Sequence, residues 1–222
     1  MKAACTPLFA LGLAACVPVT RDTALSLERD TDWHREHRPL GAGILLPSHV
    51  VGEKGVLRLI TDGRSMSGAS IRTRALYENG DFRGSMRCAA PRGTVCALFL
   101  YEPDAGDAAD EIDIELIGGS RDIWLTAWRA GVRTSHVALQ LPFDPAVDFH
   151  VYEIRRRADV IAFLVDGVQL AAFDSGLPAR RMALFANAWW PTWLDRSAAV
   201  GELQIEWIER PVSTDEAIAH GS

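Results

Sequence analysis

The sequence predicts an all-β chain folded as a sandwich of two antiparallel sheets. Short runs of alternating apolar and polar residues, broken by Gly, Asn, Asp and Pro, recur along most of its length. No apolar stripe at helical spacing persists beyond about ten residues. With 222 residues, 48% of them hydrophobic, the chain can fill one sizeable core, and no internal repeat or long linker divides it.

The N-terminus has the pattern of a targeting segment. Lys2 gives a basic start, and Leu8–Ala15 is an apolar run far too short to span a bilayer. Leu13-Ala14-Ala15-Cys16 resembles the bacterial lipobox, in which the cysteine is lipidated and becomes the new N-terminus. A simple secretory signal cut nearby is the rival reading. On the lipobox reading, residues 1–16 are leader and lipobox, 17–32 a tether, 33–210 the folded domain and 211–222 a polar tail. The protein is then exported from a bacterial cell. It is either lipid-anchored to a membrane facing the periplasm or cell surface, at about 0.8 kcal/mol per buried acyl CH₂, or secreted.

Strand candidates follow in order. Val56–Ile60 leads to Asp62-Gly63, and Ala69–Leu76 alternates towards Asn79-Gly80. Phe82–Cys88 and Val95–Tyr101 flank a segment in which Pro91 and Gly93 signal a turn, and they read as a hairpin. Cys5 leaves with the leader, and lipidation of Cys16 leaves Cys88 and Cys96 as an even pair in an exported protein. A disulfide between them is therefore expected, with two free buried thiols as the alternative. Glu111–Ile117 stops at Gly118-Gly119, and Ile123–Trp128 and Ser135–Leu139 come next. His150–Arg156 pairs with Val160–Val165, and Val168–Phe173, Met182–Ala188 and Gly201–Glu209 complete the set.

Glu111–Ile117 is the most informative of these strands. Glu111, Asp113 and Glu115 alternate with Ile112, Ile114 and Leu116, so a strand puts the acids on one face and the apolar residues on the other. Like charges stacked on one sheet face repel. They cannot all ionise cheaply, so their pKa values must spread: one raised acid can donate a proton while one ionised acid attacks. Two carboxyls flanking a glycosidic bond are the minimum apparatus for cutting a polysaccharide, at a spacing of about 5–5.5 Å for retention. Residues i and i+4 of a strand lie about 13 Å apart at the backbone, so the two glutamates must lean inward across a concave sheet. A charged edge strand is the plainer alternative.

Glu111-Ile112-Asp113-Ile114-Glu115 resembles the signature of glycoside hydrolase family 16, the superfamily of bacterial lichenases and xyloglucan transglycosylases. It has the five-residue form, without the inserted residue of laminarinase- and agarase-like members. Tyr77–Gly80 with Phe82, Phe149-His150-Val151-Tyr152, Phe163-Leu164-Val165-Asp166-Gly167 and Asn187-Ala188-Trp189 resemble further family segments in the family's order. Together they cover about Leu57 to Trp207. The resemblance implies a β-jelly-roll of concanavalin A-like form with a concave substrate cleft. It assigns Glu111 as nucleophile, Glu115 as general acid/base and Asp113 as their support. The implied activity is that of a retaining endo-β-glycanase, acting by double displacement on β-linked glucan-type or bacterial exopolysaccharide chains. A transglycosylase on the same glycans is the alternative, and a non-catalytic carbohydrate-binding sandwich a third. No cofactor is implied, although relatives often bind a structural calcium ion. Arg156, Phe163 and Arg83 depart from the family pattern. The two arginines would suit an acidic or substituted glycan.

Seven tryptophans include the cluster Trp189, Trp190 and Trp193 around Pro191, and Trp124 and Trp128 just after the acidic strand. Flat rings stack on pyranose faces. Trp189, Trp193 and Trp124 are candidate groove residues, and Asn187 is their polar partner; any of the rings could instead be core. The six histidines lack zinc-ligand spacing, and His150 reads as a structural hydrogen-bonding residue. Asp104, Asp107 and Asp110 read as a solvated turn without calcium-loop order, so no metal ligands are assigned. A net charge of -6 with no dense basic run excludes nucleic acid as a partner. The expected partner is a polysaccharide, met by a monomer.

Overall fold

The computed structural model describes residues 18–29 and 32–212. In order, the elements are β1 (Val19–Thr23), α1 (Ala24–Arg29), β2 (Trp33–Arg35), β3 (Arg38–Leu40), β4 (Gly43–Leu45), β5 (Val50–Glu53) and β6 (Val56–Asp62). Next come β7 (Ser67–Thr73), β8 (Gly80–Ala89), β9 (Val95–Tyr101), β10 (Glu111–Ile117), β11 (Asp122–Arg129) and β12 (Val132–Gln140). The last are β13 (His150–Arg156), β14 (Ile161–Val165), β15 (Val168–Phe173), β16 (Ala183–Trp189) and β17 (Val200–Pro211).

Pairing sorts the strands into two sheets, as the alternation predicts. One runs β15-β14-β13-β8-β17, and the far edge of β17 is shared by β6 and β1. The other runs β12-β11-β10-β9-β16-β7-β2. These pairings are antiparallel; a short parallel contact joins β4 to β7. The period of two sends Ile112, Ile114 and Leu116 of β10, Leu98 and Leu100 of β9 and Leu184 of β16 into the interior. There they meet Phe82 and Met86 of β8, Tyr152 and Ile154 of β13 and Leu203 and Ile205 of β17. Each such side chain contributes about 1.5–3 kcal/mol on burial.

Three expectations need correction. Residues 19–29, expected within a tether, belong to the domain. β1 pairs with the end of β17, and Ala24 and Leu27 are buried in the core. Asp22 accepts hydrogen bonds from Arg210 Nε at 2.8 Å and Trp33 Nε1 at 3.2 Å, while Arg210 Nη1 donates to the Tyr77 hydroxyl at 2.9 Å. This buried ion pair locks the first strand to the last. Secondly, β8 and β9 do not form a hairpin. β8 pairs with β13 and β17, whereas β9 pairs with β10 and β16, so the chain between them crosses from one sheet to the other. Thirdly, and as a consequence, Cys88 and Cys96 meet across the interior. They are free, buried thiols in hydrogen-bond contact and not a disulfide, and burial pushes the Cys96 thiol well above its ordinary range. Cys16 and the leader lie outside the described residues, as does the tail beyond Val212.

Candidate active site

Glu111, Asp113 and Glu115 lie on the face of β10 turned away from the core, the register placing neighbours beside each. Glu111 sits between Trp128 of β11 and Tyr101 of β9, Asp113 between Thr126 and Phe99, and Glu115 between Trp124 and Ala97. Phe185 and Asn187 of β16 extend the second and third rows. A cleft of about 740 Å³ crosses these strands with the carboxylates on its floor. Phe99 makes the floor apolar beside them, backed by Phe185 stacked with centroids 4.8 Å apart.

An apolar floor raises acid pKa values. Burial, then the charges of Glu111 and Glu115, drive Asp113 well above the carboxylate range, against the opposing hydrogen bond that Trp128 Nε1 donates to its Oδ2 at 3.2 Å. Burial thus favours the neutral form of Asp113, which is in hydrogen-bond contact with Glu111. Burial pushes Glu111 up to about 7, held back by that hydrogen bond and by the Arg38 charge. Burial and the Glu111 charge push Glu115 up to about 7. The three titrate as a unit, and near neutral pH one glutamate can be ionised while the other holds a proton. That division is what general acid chemistry beside a nucleophile requires.

The sequence-predicted groove residues all line the same cleft. Trp124 stacks on Trp193 with centroids 4.9 Å apart and planes at 17°. Trp193 is 48% exposed, an open ring at the rim. Trp189 leans on Gly41, whose φ of +57° and lack of a side chain let the β3–β4 turn approach; a Cβ there would lie 2.5 Å from the Trp189 ring. Trp190 points the other way and is core, its Nε1 donating to the Ser67 carbonyl at 3.0 Å. Asn187 is buried in the cleft lining, and its Oδ1 is enclosed there without a hydrogen-bond partner.

Other residues fall differently. Asp110 is not a solvated turn residue: it is buried and accepts from the backbone N–H groups of Ala130, Ala179 and Arg180 at 2.7–2.9 Å. Despite its burial, those bonds hold its carboxyl below the usual range and fasten two loops to the start of β10. Arg83 and Arg156 are not in the cleft. Arg83 pairs with Glu153 on the opposite sheet, and Arg156 is buried, donating to the carbonyls of Tyr77, Pro178 and Arg180. His150 bonds Asp166 at 2.6 Å, a structural role. Among the described residues no group of three His, Cys, Asp or Glu gathers as a metal site. Arg38, Arg133, His136, Tyr101 and Thr126 line the cleft without having been singled out, and Trp128, noted only for its spacing, lines it too.

The model of the family described as glycosyl hydrolases family 16 matches residues 44–209. A β-glucanase of Brevibacillus brevis is 30% identical over 152 residues, covering 64% of this chain and 58% of that protein. Xyloglucan endotransglycosylase/hydrolase protein 8 of Oryza sativa subsp. japonica is 29% identical, covering 91% of this chain and 72% of its own. The solved β-glucanase of Bacillus licheniformis superposes with a TM-score of 0.77 at 20% identity, over 86% of this chain and 96% of that one. The Brevibacillus protein is thus spanned over less than two thirds of its length.

Proposed function

The chain belongs to glycosyl hydrolases family 16, and from that premise we propose that it is an exported, endo-acting retaining glycanase of β-glucan-type polysaccharide. The observation that carries this reading is the row Glu111, Asp113 and Glu115 on the floor of a cleft that extends to either side of them. Glucanase relatives support the substrate class.

Glu111 attacks the anomeric carbon. The glycosidic C–O bond breaks, its electron pair goes to the leaving oxygen, and Glu115 supplies that oxygen with a proton. The glycosyl ester on Glu111 is then opened by water, whose proton passes to the Glu115 carboxylate. Asp113, kept neutral, donates to Glu111 and steadies it as an anion before attack and as a leaving group afterwards. Trp124, Trp189 and Trp193 offer rings to sugar faces, and Asn187 is a polar residue of the same lining. We further propose that Cys16 is acylated and anchors the protein to a membrane.

The test is turnover of mixed-linkage β-glucan, xyloglucan, β-1,3-glucan and bacterial exopolysaccharide, followed by NMR of the first product. A β-anomer appearing first is expected. A first-formed α-anomer, or folded protein acting on none of these glycans, overturns the reading. The rice relative also makes transfer to a sugar hydroxyl a live second reading. Oligosaccharides longer than a defined substrate would mark it.

A further inference from the structure

The cleft carries two arginines at the Glu111 end. Several arginines outside the cleft are taken up by carboxylates, as with Arg58, Arg83, Arg155, Arg157 and Arg180. Arg133 on β12 is exposed, and no ion pair joins it to a carboxylate among the described residues; its guanidinium lies 5.9 Å from the centroid of the Trp128 ring. Arg38 on β3 reaches the same end from the other flank. It pairs with Glu36 at 3.0 Å, but Arg72 also lies 3.6 Å from Glu36, so two cations share one anion. Each flank thus holds a surplus of positive charge, in a chain whose net charge is -6.

Arg133 is also re-aimed by the backbone. Residues three apart on a regular strand point to opposite faces, yet Arg133 and His136 both line the cleft. The ladder explains this. Ala127 pairs with Ser135, but the next residue, Trp128, pairs with Arg133, leaving Thr134 as an extra residue. Thr134 Oγ1 donates to the Ala127 carbonyl at 3.1 Å, which secures the bulge. Bulges beside active sites commonly redirect one side chain. This one turns a guanidinium into the groove.

We propose that this cationic end selects glycans bearing an acidic substituent, a carboxylate or another oxyanion on the sugar, with Arg133 as the principal contact and Arg38 opposite it. The proposal rests on the glycanase reading and narrows its substrate. A guanidinium fork recognises a planar oxyanion by paired, charge-assisted hydrogen bonds. The charges also offset repulsion between an anionic polymer and the ionised member of the catalytic trio.

The probes are a mixed-linkage β-glucan and the same polymer carboxymethylated. Binding is measured with Glu115→Gln protein, which leaves the polymer uncut. The carboxymethylated form is expected to bind about tenfold tighter, equivalent to about 1.4 kcal/mol, and added salt should shrink the difference. Adding Arg133→Gln should bring the ratio close to one, and Arg133→Lys should restore part of it. Equal binding of the two polymers, preference for the neutral one, or a ratio unmoved by Arg133→Gln in a variant with an unchanged melting curve would each overturn the proposal. Loss of hydrolysis in the wild type with this ratio intact would count against the glycanase reading alone.

Discussion

Replacing Glu115 with glutamine should stabilise the fold at neutral pH while abolishing turnover, and the pH dependence makes the case. Burial, and secondarily the Glu111 charge, raise this carboxyl from an ordinary 4.5 to about 7. Between those values the folded protein holds a proton that the unfolded chain has released. Stability is therefore fullest below about 4.5 and declines as pH rises towards 7. The difference, at about 1.36 kcal/mol per pH unit, sets a ceiling of about 3 kcal/mol. Glu115 is only half-buried, and solvent screening brings the expected effect to about 1–2 kcal/mol. Glutamine keeps the shape and does not titrate. Urea unfolding of both proteins at steps from pH 4.5 to 8 should give curves that diverge, the variant becoming the more stable as pH rises. Parallel curves, or a wild type that gains on the variant with rising pH, would refute the argument. Turnover of the variant should fall by about 10²–10⁴, the usual worth of a positioned general acid.

Wild-type turnover should peak near pH 7 and fall on both sides, because Glu111 takes up its proton below and Glu115 loses its own above; a flat profile across this range would contradict the division of roles. Glu111→Ala should abolish turnover by orders of magnitude with little change in melting temperature, and Asp113→Asn should cost less, since an amide still donates to Glu111. Trp193→Ala should raise KM several-fold more than it lowers kcat, because it removes an exposed ring from the rim. Asp22→Ala should destabilise the domain by about 1–3 kcal/mol, because buried Arg210 and Trp33 lose their acceptor and Arg210 keeps only Asp32, 3.7 Å away; a loss under about 1 kcal/mol in urea unfolding would contradict the lock between first and last strands.

The strands from β6 onwards were legible because turn residues bound short alternating or apolar runs: Val95–Tyr101, Glu111–Ile117, His150–Arg156 and Val168–Phe173 fall where those signals set them. β1 to β5 were not, since runs of three to five residues such as Arg38–Leu40 carry too little periodicity to register. Alternation also fixes which face a residue takes without naming its neighbour. Pro91 and Gly93 looked like a hairpin turn, yet they mark a crossing between sheets. The same division holds at the site. The acids announce themselves by spacing within one strand, and Trp124, Asn187, Trp189 and Trp193 by type and cluster. Arg38 comes from a strand remote in sequence, and Arg133 reaches the cleft only through a bulge, which inverts the face that counting would assign.

The docking of β1 bears on how far the molecule could travel. The Pro18 carbonyl already accepts the Val212 N–H at 3.0 Å, and the ladder with β17 starts at Val19. An extended residue spans at most about 3.6 Å, so a lipid on Cys16 would leave a leash of about 7 Å before the domain begins. A leash that short gives no radius of search. The molecule would lie against the bilayer, diffusing only in its plane, and would meet those polymer chains that pass within a protein's width of the surface. Its encounter rate would follow how fast chains are delivered there, not how many are dissolved around it.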